Sequence, residues 1–341
     1  DVFPLCLGGN VFGWTADEAQ SFATLDAYAA AGGNFVDTAD VYSAWAPGNS
    51  GGESEAILGR WMAGRGNRDR IVVATKVGKL AGLTGLSAKT IRSAAEASLR
   101  RLGTDHIDLY YAHSDDPATP LDETLGAFDS LVREGKVRAV AASNYTASRL
   151  SEALEVSRAA GFARFEALQP HYNLVHRAEY EGALSDLCVR EGLSCFPYYA
   201  LASGFLSGKY RPGTSVEGAR AGAASKYLDE RGLRTLAALD ATAAARGTTV
   251  AAVALAWPLA RPAVVAPIAS VRAPARSGGT GSASRSAGSP STTMPRSANP
   301  AFTTPAVKSV GLSTDTERVT SVRPIGTRPV TVSTELPGSR R

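Results

Sequence analysis

The chain has 341 residues, and 44% of them are hydrophobic, which indicates a globular protein with a substantial buried core. No run of about 18 apolar residues occurs, so no membrane-spanning helix is expected. The N-terminal segment DVFPLCLGG lacks the basic region and long apolar run of a secretion signal. The 3 cysteines are odd in number and form no CxxC pair, so we expect reduced thiols and a cytoplasmic location.

The formal net charge of +4 is unevenly distributed along the chain. Residues 273–341 hold 9 of the 36 basic and 3 of the 32 acidic residues, which leaves 27 basic and 29 acidic residues in positions 1–272. A slightly acidic body does not provide the positive surface that nucleic acids require. We therefore expect no nucleic-acid partner, although the basic C-terminal segment is the one feature that favours such a partner.

Short apolar runs alternate with amphipathic helical patterns along residues 1–272, which predicts βα units and a parallel sheet. Most runs are continuous in Val, Ile, Leu and Ala, as expected of strands that are buried on both faces. There are eight such runs, FPLCLGG (3–9), NFVDTA (34–39), RIVVATKVG (70–78), HIDLYYAH (106–113), VRAVAAS (137–143), FEALQ (165–169), LSCFPYY (193–199) and AVVAPIAS (263–270). Eight units predict an α/β fold of the (β/α)8 TIM barrel type, with the active site at the carboxyl ends of the strands.

Helix starts are marked by residues that cap the first turn. Residues 15–18 (TADE) form a capping-box pattern, and Ser87 and Thr146 each precede an amphipathic run. Thr248 is the predicted start of a later helix, TVAAVALAW. Pro258 is expected to kink or end that helix, because proline in a helix interior costs about 3 kcal/mol.

The chain is expected to comprise two parts. Residues 1–272 carry the barrel pattern, within which the Gly/Ser-rich connection 201–228 is long enough to predict a functional loop. In residues 273–341, 38 positions are Ser, Thr, Pro or Gly. The remaining residues include too few apolar side chains to offset the conformational entropy that the segment would lose on folding. We predict a disordered, low-complexity Ser/Thr/Pro/Arg tail and an incomplete or missing eighth helix.

Four chemically active side chains follow successive predicted strands. Asp37 and Tyr42 follow the second strand, Lys76 ends the third and His113 the fourth. A buried lysine is costly unless it is paired or functional, and Asp37 can pair with it. The ammonium would lower the pKa of the Tyr42 phenol and make it a proton donor, while His113 would donate to a carbonyl oxygen that gains negative charge. Each residue alone fits a cap, a salt bridge or a packed histidine, but the four together favour catalysis.

Five segments in this region resemble signature stretches of the aldo-keto reductase superfamily, and they occur in the family's order over residues 3–272. They are GGNFVDTADVY, VVATKVG, IDLYYAH, AASNY and ASGFLSGKY. Residues 273–341 show no such resemblance. The resemblance implies NADPH-dependent reduction of an aldehyde or ketone to an alcohol, in which Tyr42 donates a proton, Lys76 and His113 assist, and Asp37 supports Lys76.

The resemblance also implies an NADPH/NADP site. Ser143, Asn144 and Gln169 match residues that hold the nicotinamide carboxamide, and Tyr198 matches the ring that stacks on the nicotinamide. The segment 201–210 matches the loop over the pyrophosphate. Positions in or near the pocket that complete the expected cofactor contacts are Leu201, Gly204, Leu206, Lys209, Gly9, Asn10 and Arg272. An arginine at this last position matches a contact to the adenosine 2′-phosphate, which would favour NADPH over NADH.

Other interpretations of these residues remain open. Ser143 and Asn144 are also placed to cap the next helix, and Gln169 and Tyr198 would also fit barrel packing. No GxGxxG follows the first strand, and the histidines 171 and 176 make no recognisable metal-ligand set, so neither a Rossmann site nor a metal is expected. Trp14 and Trp45 are expected near the mouth of the pocket, where they would pack on the rim or shape the substrate site.

Three further functions compete with an active reductase that acts on a small-molecule carbonyl substrate. One is an NADP-binding regulatory subunit that resembles the potassium-channel β subunits. The second is an inactive relative without the last helix and its adenosine contacts, and the third is a nucleic-acid binder that uses the tail. The intact set of four catalytic residues favours the reductase. The sequence specifies neither the substrate nor the oligomeric state, which we leave as unknown.

Overall fold

A single sheet of eight parallel strands lies at the centre of the computed structural model, which describes residues 1–214, 216 and 221–271. Each predicted run contains one strand, which matches the run at 137–143 and 165–169 and is shorter than it elsewhere. The strands are β1 (Cys6–Gly8), β2 (Phe35–Asp37), β3 (Val72–Val77), β4 (Ile107–Ala112), β5 (Val137–Ser143), β6 (Phe165–Gln169), β7 (Ser194–Cys195) and β8 (Ile268–Ala269).

The sheet closes on itself. From β1 to β7 each strand pairs with the next one in the chain, and β8 pairs with β1, where Cys6 lies opposite Ile268. On the other side, the Cys195 amide donates to the carbonyl of Ala263 at 2.7 Å, and the Ile268 amide donates to that of Pro197 at 2.8 Å. These bonds join the last segment to both neighbours, and the predicted (β/α)8 barrel is confirmed.

Helices surround the barrel. Those in the described residues are α1 (Glu18–Ala30), α2 (Glu53–Arg65), α3 (Ala88–Leu102), α4 (Leu121–Arg133), α5 (Ala147–Ala160), α6 (Ala183–Glu191), α7 (Ala221–Ser225), α8 (Glu230–Arg246) and α9 (Val250–Leu259). Two 3-10 helices span Arg68–Arg70 and Ala202–Ser207, and an antiparallel hairpin joins Lys79–Leu80 to Leu83–Thr84.

Two of the four predicted helix starts are confirmed, and two shift along the chain. The hydroxyls of Ser87 and Thr146 accept hydrogen bonds from backbone amides in the first turns of α3 and α5. The predicted capping box at 15–18 is wrong. Thr15 belongs to the preceding turn, where its amide donates to the carbonyl of Val11. The residue that caps α1 is Asp17, which forms a capping box with Gln20.

The start of the later helix moves by one residue. The Thr248 amide still bonds to the carbonyl of Ala243 and closes α8, so Thr249 caps α9 instead. That helix ends at Leu259, one residue beyond Pro258, close to where the proline was expected to stop it.

Side-chain alternation along the strands divides the core into two layers. Residues on one face of each strand fill the barrel interior, and those on the other face pack under the helices. The interior set includes Phe35, Ala74, Leu109, Ala139 and Ala167. Because side chains alternate between the two faces, every second residue further along each strand also faces inward.

The predictions of an incomplete or missing eighth helix and of a disordered tail over 273–341 concern residues outside the described ones, as does Arg272. Within the described part of the chain, no helix is both long and apolar enough to span a membrane.

Gly59 allows α2 to lie against the end of α3. A Cβ at this position would stand 2.5 Å from the carbonyl oxygen of Arg101 and 2.7 Å from that of Leu102, and backbone atoms cannot yield as a flexible side chain does. We expect Gly59→Ala to lower the free energy of unfolding by about 1–3 kcal/mol. Gly64→Ala, in the same helix with open space around it, should instead raise it by up to about 1 kcal/mol. Urea unfolding of both variants checks this, and equal effects would contradict it.

Candidate active site

The polar residues of the site extend the interior face of the barrel. Two residues beyond the inward Phe35, Ala74 and Ala167, the same faces carry Asp37, Lys76 and Gln169. On β4 the same two-residue period runs from Leu109 through Tyr111 to His113, and on β5 it runs from Ala139 through Ala141 to Ser143. Because the strands are parallel, these side chains converge at the carboxyl end of the barrel.

A buried network connects three of the four predicted catalytic residues. The Lys76 ammonium, which is 0% exposed, donates to Asp37 Oδ2 at 2.7 Å, to the Thr38 carbonyl at 2.8 Å and to the Tyr42 hydroxyl at 2.9 Å. All three of its protons are thereby used. The Tyr42 hydroxyl donates to the same Asp37 oxygen at 3.2 Å. The predicted pairing of Lys76 with Asp37 is confirmed.

The electrostatic effect on Tyr42 is opposite to the expectation from sequence. Burial and then the negative charge of Asp37 raise the pKa of the phenol well above its ordinary value. The Lys76 ammonium, which is bound to Asp37 at 2.7 Å, does not offset this rise. Tyr42 therefore holds its proton at neutral pH, as a proton donor must.

His113 lies beside this network. Its ring centroid is 6.2 Å from that of Tyr42, and its amide is bound to the Val77 carbonyl. Burial, then the charges of Lys76 and Lys79, lower its pKa well below the ordinary value, so the imidazole is neutral and has one N–H to donate. Within the described residues its buried Nδ1 has no hydrogen-bond partner.

The residues predicted to hold the nicotinamide form a second network. The Ser143 hydroxyl donates to the Gln169 carbonyl at 2.9 Å, and the Tyr198 hydroxyl donates to Asn144 Oδ1 at 2.7 Å. The Asn144 amide group in turn donates to the His113 carbonyl at 2.8 Å. Neither Ser143 nor Asn144 caps α5, since Thr146 does so.

Gln169 connects the two networks. Its amide group donates to Asp37 Oδ1 at 2.8 Å, so both oxygens of that carboxylate accept hydrogen bonds. The ring of Tyr198 is backed by a stack of histidines, with His171 5.3 Å away at 21° and His176 3.6 Å beyond it at 12°. A flat ring supported from behind suits stacking on a planar group.

The segment 201–210 forms a tight turn beside a cation. Ser203 and Gly204 have φ angles of 58° and 96°, in the left-handed region. Lys209 Nζ lies 3.6 Å from the point that a Cβ on Gly204 would occupy, an ordinary contact distance, and the φ angle of Gly204 is what disfavours a side chain there. Leu201 precedes the turn and its carbonyl accepts from the Gly204 amide, while the fully buried Leu206 anchors the turn in an apolar cluster.

The remaining predicted contacts lie at the seam between β1 and β8. The Gly9 amide donates to the Asp37 carbonyl at 2.7 Å, and the Ser270 hydroxyl donates to Asn10 Oδ1 at 2.6 Å. Arg272 lies outside the described residues. A lysine over a glycine turn suits a phosphate, and an aromatic ring beside amide side chains suits a nicotinamide, so the residues present fit a reduced nicotinamide cofactor.

Sequence reasoning missed a buried acidic cluster behind the site. Asp40 is 0% exposed, and within the described residues neither of its carboxyl oxygens has a hydrogen-bond partner. Burial, then the charge of Glu55, raises its pKa to about 7, against a lowering by Arg101. Glu55 is itself bound to Arg101 at 2.6 Å and to Thr75 at 2.5 Å. No local pattern indicates this cluster, because its members come from three separate elements.

Tyr111 was also missed, although a signal for it exists. It lies opposite Lys76 in the β3–β4 register, and the ammonium is 5.8 Å from its ring centroid. The two-residue period from Leu109 to His113 places it on the inward face, so strand alternation alone would have found it. Among the described residues, no cluster of three or more His, Cys, Asp or Glu side chains is arranged to hold a metal.

Comparison with known proteins agrees with this geometry. The sequence profile of the Aldo/keto reductase family matches residues 4–281, which extends past residue 272, the expected limit of the resemblance. An uncharacterized oxidoreductase, YrpG of Bacillus subtilis, is 37% identical over 78% of this chain and 82% of its own. Norsolorinic acid reductase stcV of Emericella nidulans is 34% identical over 80% of this chain and 71% of its own.

A third relative is the aryl-alcohol dehydrogenase [NADP(+)] of Phanerodontia chrysosporium, which is 33% identical over 60% of this chain and 56% of its own. The family profile covers most of the barrel, including the strand ends where Asp37, Tyr42, Lys76 and His113 meet. On these grounds the chain belongs to the aldo/keto reductase family and is an oxidoreductase.

Proposed function

We propose that this protein reduces an aldehyde or ketone to an alcohol with NADPH as the hydride source and Tyr42 as the proton donor. The observation that carries the proposal is the buried contact of Tyr42, Lys76 and Asp37 at the carboxyl end of the barrel. A protonated phenol, a fixed ammonium and a neutral imidazole beside one pocket match the needs of carbonyl reduction.

Each residue has a separate task in this reaction. When bound, the reduced nicotinamide supplies the hydride that the carbonyl carbon accepts. Tyr42 gives its proton to the carbonyl oxygen, so the substrate gains one hydride and one proton and becomes an alcohol. The Lys76 ammonium, 2.9 Å away, stabilises the phenolate that remains until a proton returns from solvent. The N–H of neutral His113 donates to the substrate oxygen as its negative charge develops.

Asp37 holds Lys76 in place, and Gln169 holds Asp37. For the cofactor, Ser143, Asn144 and Tyr198 would contact the nicotinamide end, and the turn at Gly204 with Lys209 would contact the phosphates. The printed name of the Phanerodontia relative contains NADP(+), which supports the choice of phosphate-bearing cofactor. The contact of Arg272 with the adenosine 2′-phosphate stays a prediction.

A steady-state assay tests the proposal. The full chain is mixed with NADPH and a panel of aldehydes and ketones, and loss of the reduced nicotinamide absorbance is followed. We expect turnover with at least one carbonyl compound, at a higher kcat/KM with NADPH than with NADH. Tight NADPH binding without turnover would favour a regulatory subunit instead, and a lack of NADPH binding would identify an inactive relative.

A further inference from the structure

The Lys76 ammonium ends a flexible side chain, so its position in the site depends on the groups that accept its hydrogen bonds. Two of these acceptors, Asp37 Oδ2 and the Thr38 carbonyl, belong to consecutive residues at the carboxyl end of β2. The third is the Tyr42 hydroxyl. Whatever fixes the backbone at Asp37 and Thr38 therefore also fixes the ammonium beside the proposed proton donor.

A closed ring of hydrogen bonds holds this backbone segment. The Thr38 hydroxyl donates to the Ser54 hydroxyl at 2.8 Å, and the Ser54 hydroxyl donates to the Gly9 carbonyl at 2.8 Å. The Gly9 amide donates to the Asp37 carbonyl at 2.7 Å, which returns the ring to the residue before Thr38. Because a carbonyl only accepts, Ser54 must give its proton to Gly9 and accept that of Thr38, so each hydroxyl has a fixed direction.

The ring is buried and closely packed. Thr38 and Ser54 are both fully buried. A Cβ on Gly9 would stand 2.9 Å from the Ser54 hydroxyl oxygen and 3.2 Å from the Asp37 carbonyl oxygen, so a side chain at position 9 would push the ring apart. A buried acceptor that loses its donor is costly, because water does not replace the missing bond. Loss of either hydroxyl is therefore expected to change the backbone geometry at this point.

The two hydroxyls act on the site through the backbone. Ser54 is the second residue of α2, and Thr38 directly follows β2, with its amide bound to the Ala74 carbonyl of β3 at 2.8 Å. The ring therefore fastens the end of β2 to β1 and α2, while the amide fastens it to β3. The Thr38 carbonyl is the part of this residue that contacts the ammonium, and its hydroxyl bonds to Ser54 instead.

We propose that Thr38 and Ser54 are positioning residues for carbonyl reduction, whose hydroxyls hold the backbone of residues 37 and 38 so that Lys76 stays at hydrogen-bond distance from Tyr42. This inference rests on the proposed function, because the Lys76 ammonium is the group that stabilises the Tyr42 phenolate. Neither hydroxyl takes part in the chemistry. A misplacement of about 1 Å in a catalytic group can cost about 100-fold in rate, so a distant hydroxyl that prevents it has a measurable effect.

A matched pair of variants at position 38 tests the role of the hydroxyl. Thr38→Val keeps the size and the branched Cβ but lacks the hydroxyl, whereas Thr38→Ser keeps the hydroxyl and lacks only a methyl group. In the full chain with NADPH and a carbonyl compound that the wild type reduces, we expect Thr38→Val to lower kcat by about tenfold. Thr38→Ser should retain most of the wild-type kcat. The dissociation constant of NADPH should change by less than about threefold in both variants, which places the loss in the reaction step.

Ser54→Ala breaks the ring at its other hydroxyl. It should lower kcat at least as far as Thr38→Val, because it removes two of the hydrogen bonds and leaves the Gly9 carbonyl without this donor. The inference therefore does not depend on one variant being stable. Amide hydrogen exchange gives a readout besides activity: opening of the ring in Thr38→Val should speed exchange of the Gly9 amide by about fivefold, a typical effect of one lost hydrogen bond.

A control variant separates positioning from general loss of stability. Thr124 lies in α4, is buried, and donates its hydroxyl to the Leu86 carbonyl at 3.1 Å, so Thr124→Val makes the same chemical change away from the site. Urea unfolding should show a loss of stability similar to that of Thr38→Val. Its kcat and the exchange rate of the Gly9 amide should both stay close to the wild-type values.

The possible failures are distinguishable. If the wild type oxidises NADPH with no carbonyl compound, the proposed function fails and this inference with it. If the wild type turns over and folded Thr38→Val and Ser54→Ala keep its kcat, the positioning role is wrong while the reductase assignment stands. A loss of kcat in Thr124→Val as large as that in Thr38→Val would also overturn the positioning role, because the effect would then follow stability alone.

Discussion

Tyr42→Phe is expected to lower kcat for carbonyl reduction by about 10³-fold, within the range typical of general acid catalysis. The variant keeps the ring but loses the hydroxyl that lies 2.9 Å from Lys76 Nζ and 3.2 Å from Asp37 Oδ2. Since Lys76 still binds Asp37 and the Thr38 carbonyl, the buried charge stays paired and the fold should persist.

Two measurements make this result specific. NADPH binding, followed by quenching of tryptophan fluorescence, should change by less than about threefold, because Tyr42 acts on the substrate oxygen. Tyr145→Phe removes another tyrosine hydroxyl, one that is buried and has no hydrogen-bond partner in the described residues. Its kcat should stay close to the wild-type value. A Tyr42→Phe enzyme with nearly normal kcat would refute Tyr42 as the proton donor.

Asp40→Asn is expected to change how stability depends on pH. The folded protein holds the Asp40 proton up to a pKa of about 7, whereas the unfolded chain releases it near pH 4. Between these values the folded state binds one more proton, so the free energy of unfolding of the wild type falls by about 1.4 kcal/mol per pH unit as pH rises. The stability that the wild type gains from keeping Asp40 protonated is fully present below about pH 4 and is lost by about pH 7. The total loss over this range is about 4 kcal/mol.

Asparagine cannot titrate, so the free energy of unfolding of the variant lacks the pH dependence that Asp40 gives the wild type. Urea unfolding at intervals from pH 4 to pH 8 should show its stability, relative to wild type, rising by about 4 kcal/mol over that range. The charged groups near Asp40 are Glu55, Arg101 and Lys76, the buried Tyr110 phenol also interacts with it, and all four are retained in the variant. Parallel curves for the two proteins would show that Asp40 is ionised in the folded state at low pH.

The barrel and the convergence of Asp37, Lys76 and His113 at one end of it were predictable from sequence because both depend on local order. Eight apolar runs predicted eight strands, and the caps at Ser87 and Thr146 stand where the residue types indicated. Strand polarity then directs Asp37, Lys76 and His113 to one end. The pairing of Asp37 with Lys76 followed from the high cost of burying either charge alone.

Only the tertiary structure determined the pKa shifts and the buried charge cluster, because both depend on distances between atoms and on removal from water. The pKa of Tyr42 rises because burial and Asp37 outweigh a lysine that is already paired, and composition does not reveal that balance. Asp40 and Glu55 share Arg101 only because the turn after β2, α2 and α3 meet behind the site. Periodicity identifies which face a residue occupies, but its partners come from elements far apart in the chain, and their separations set the electrostatics.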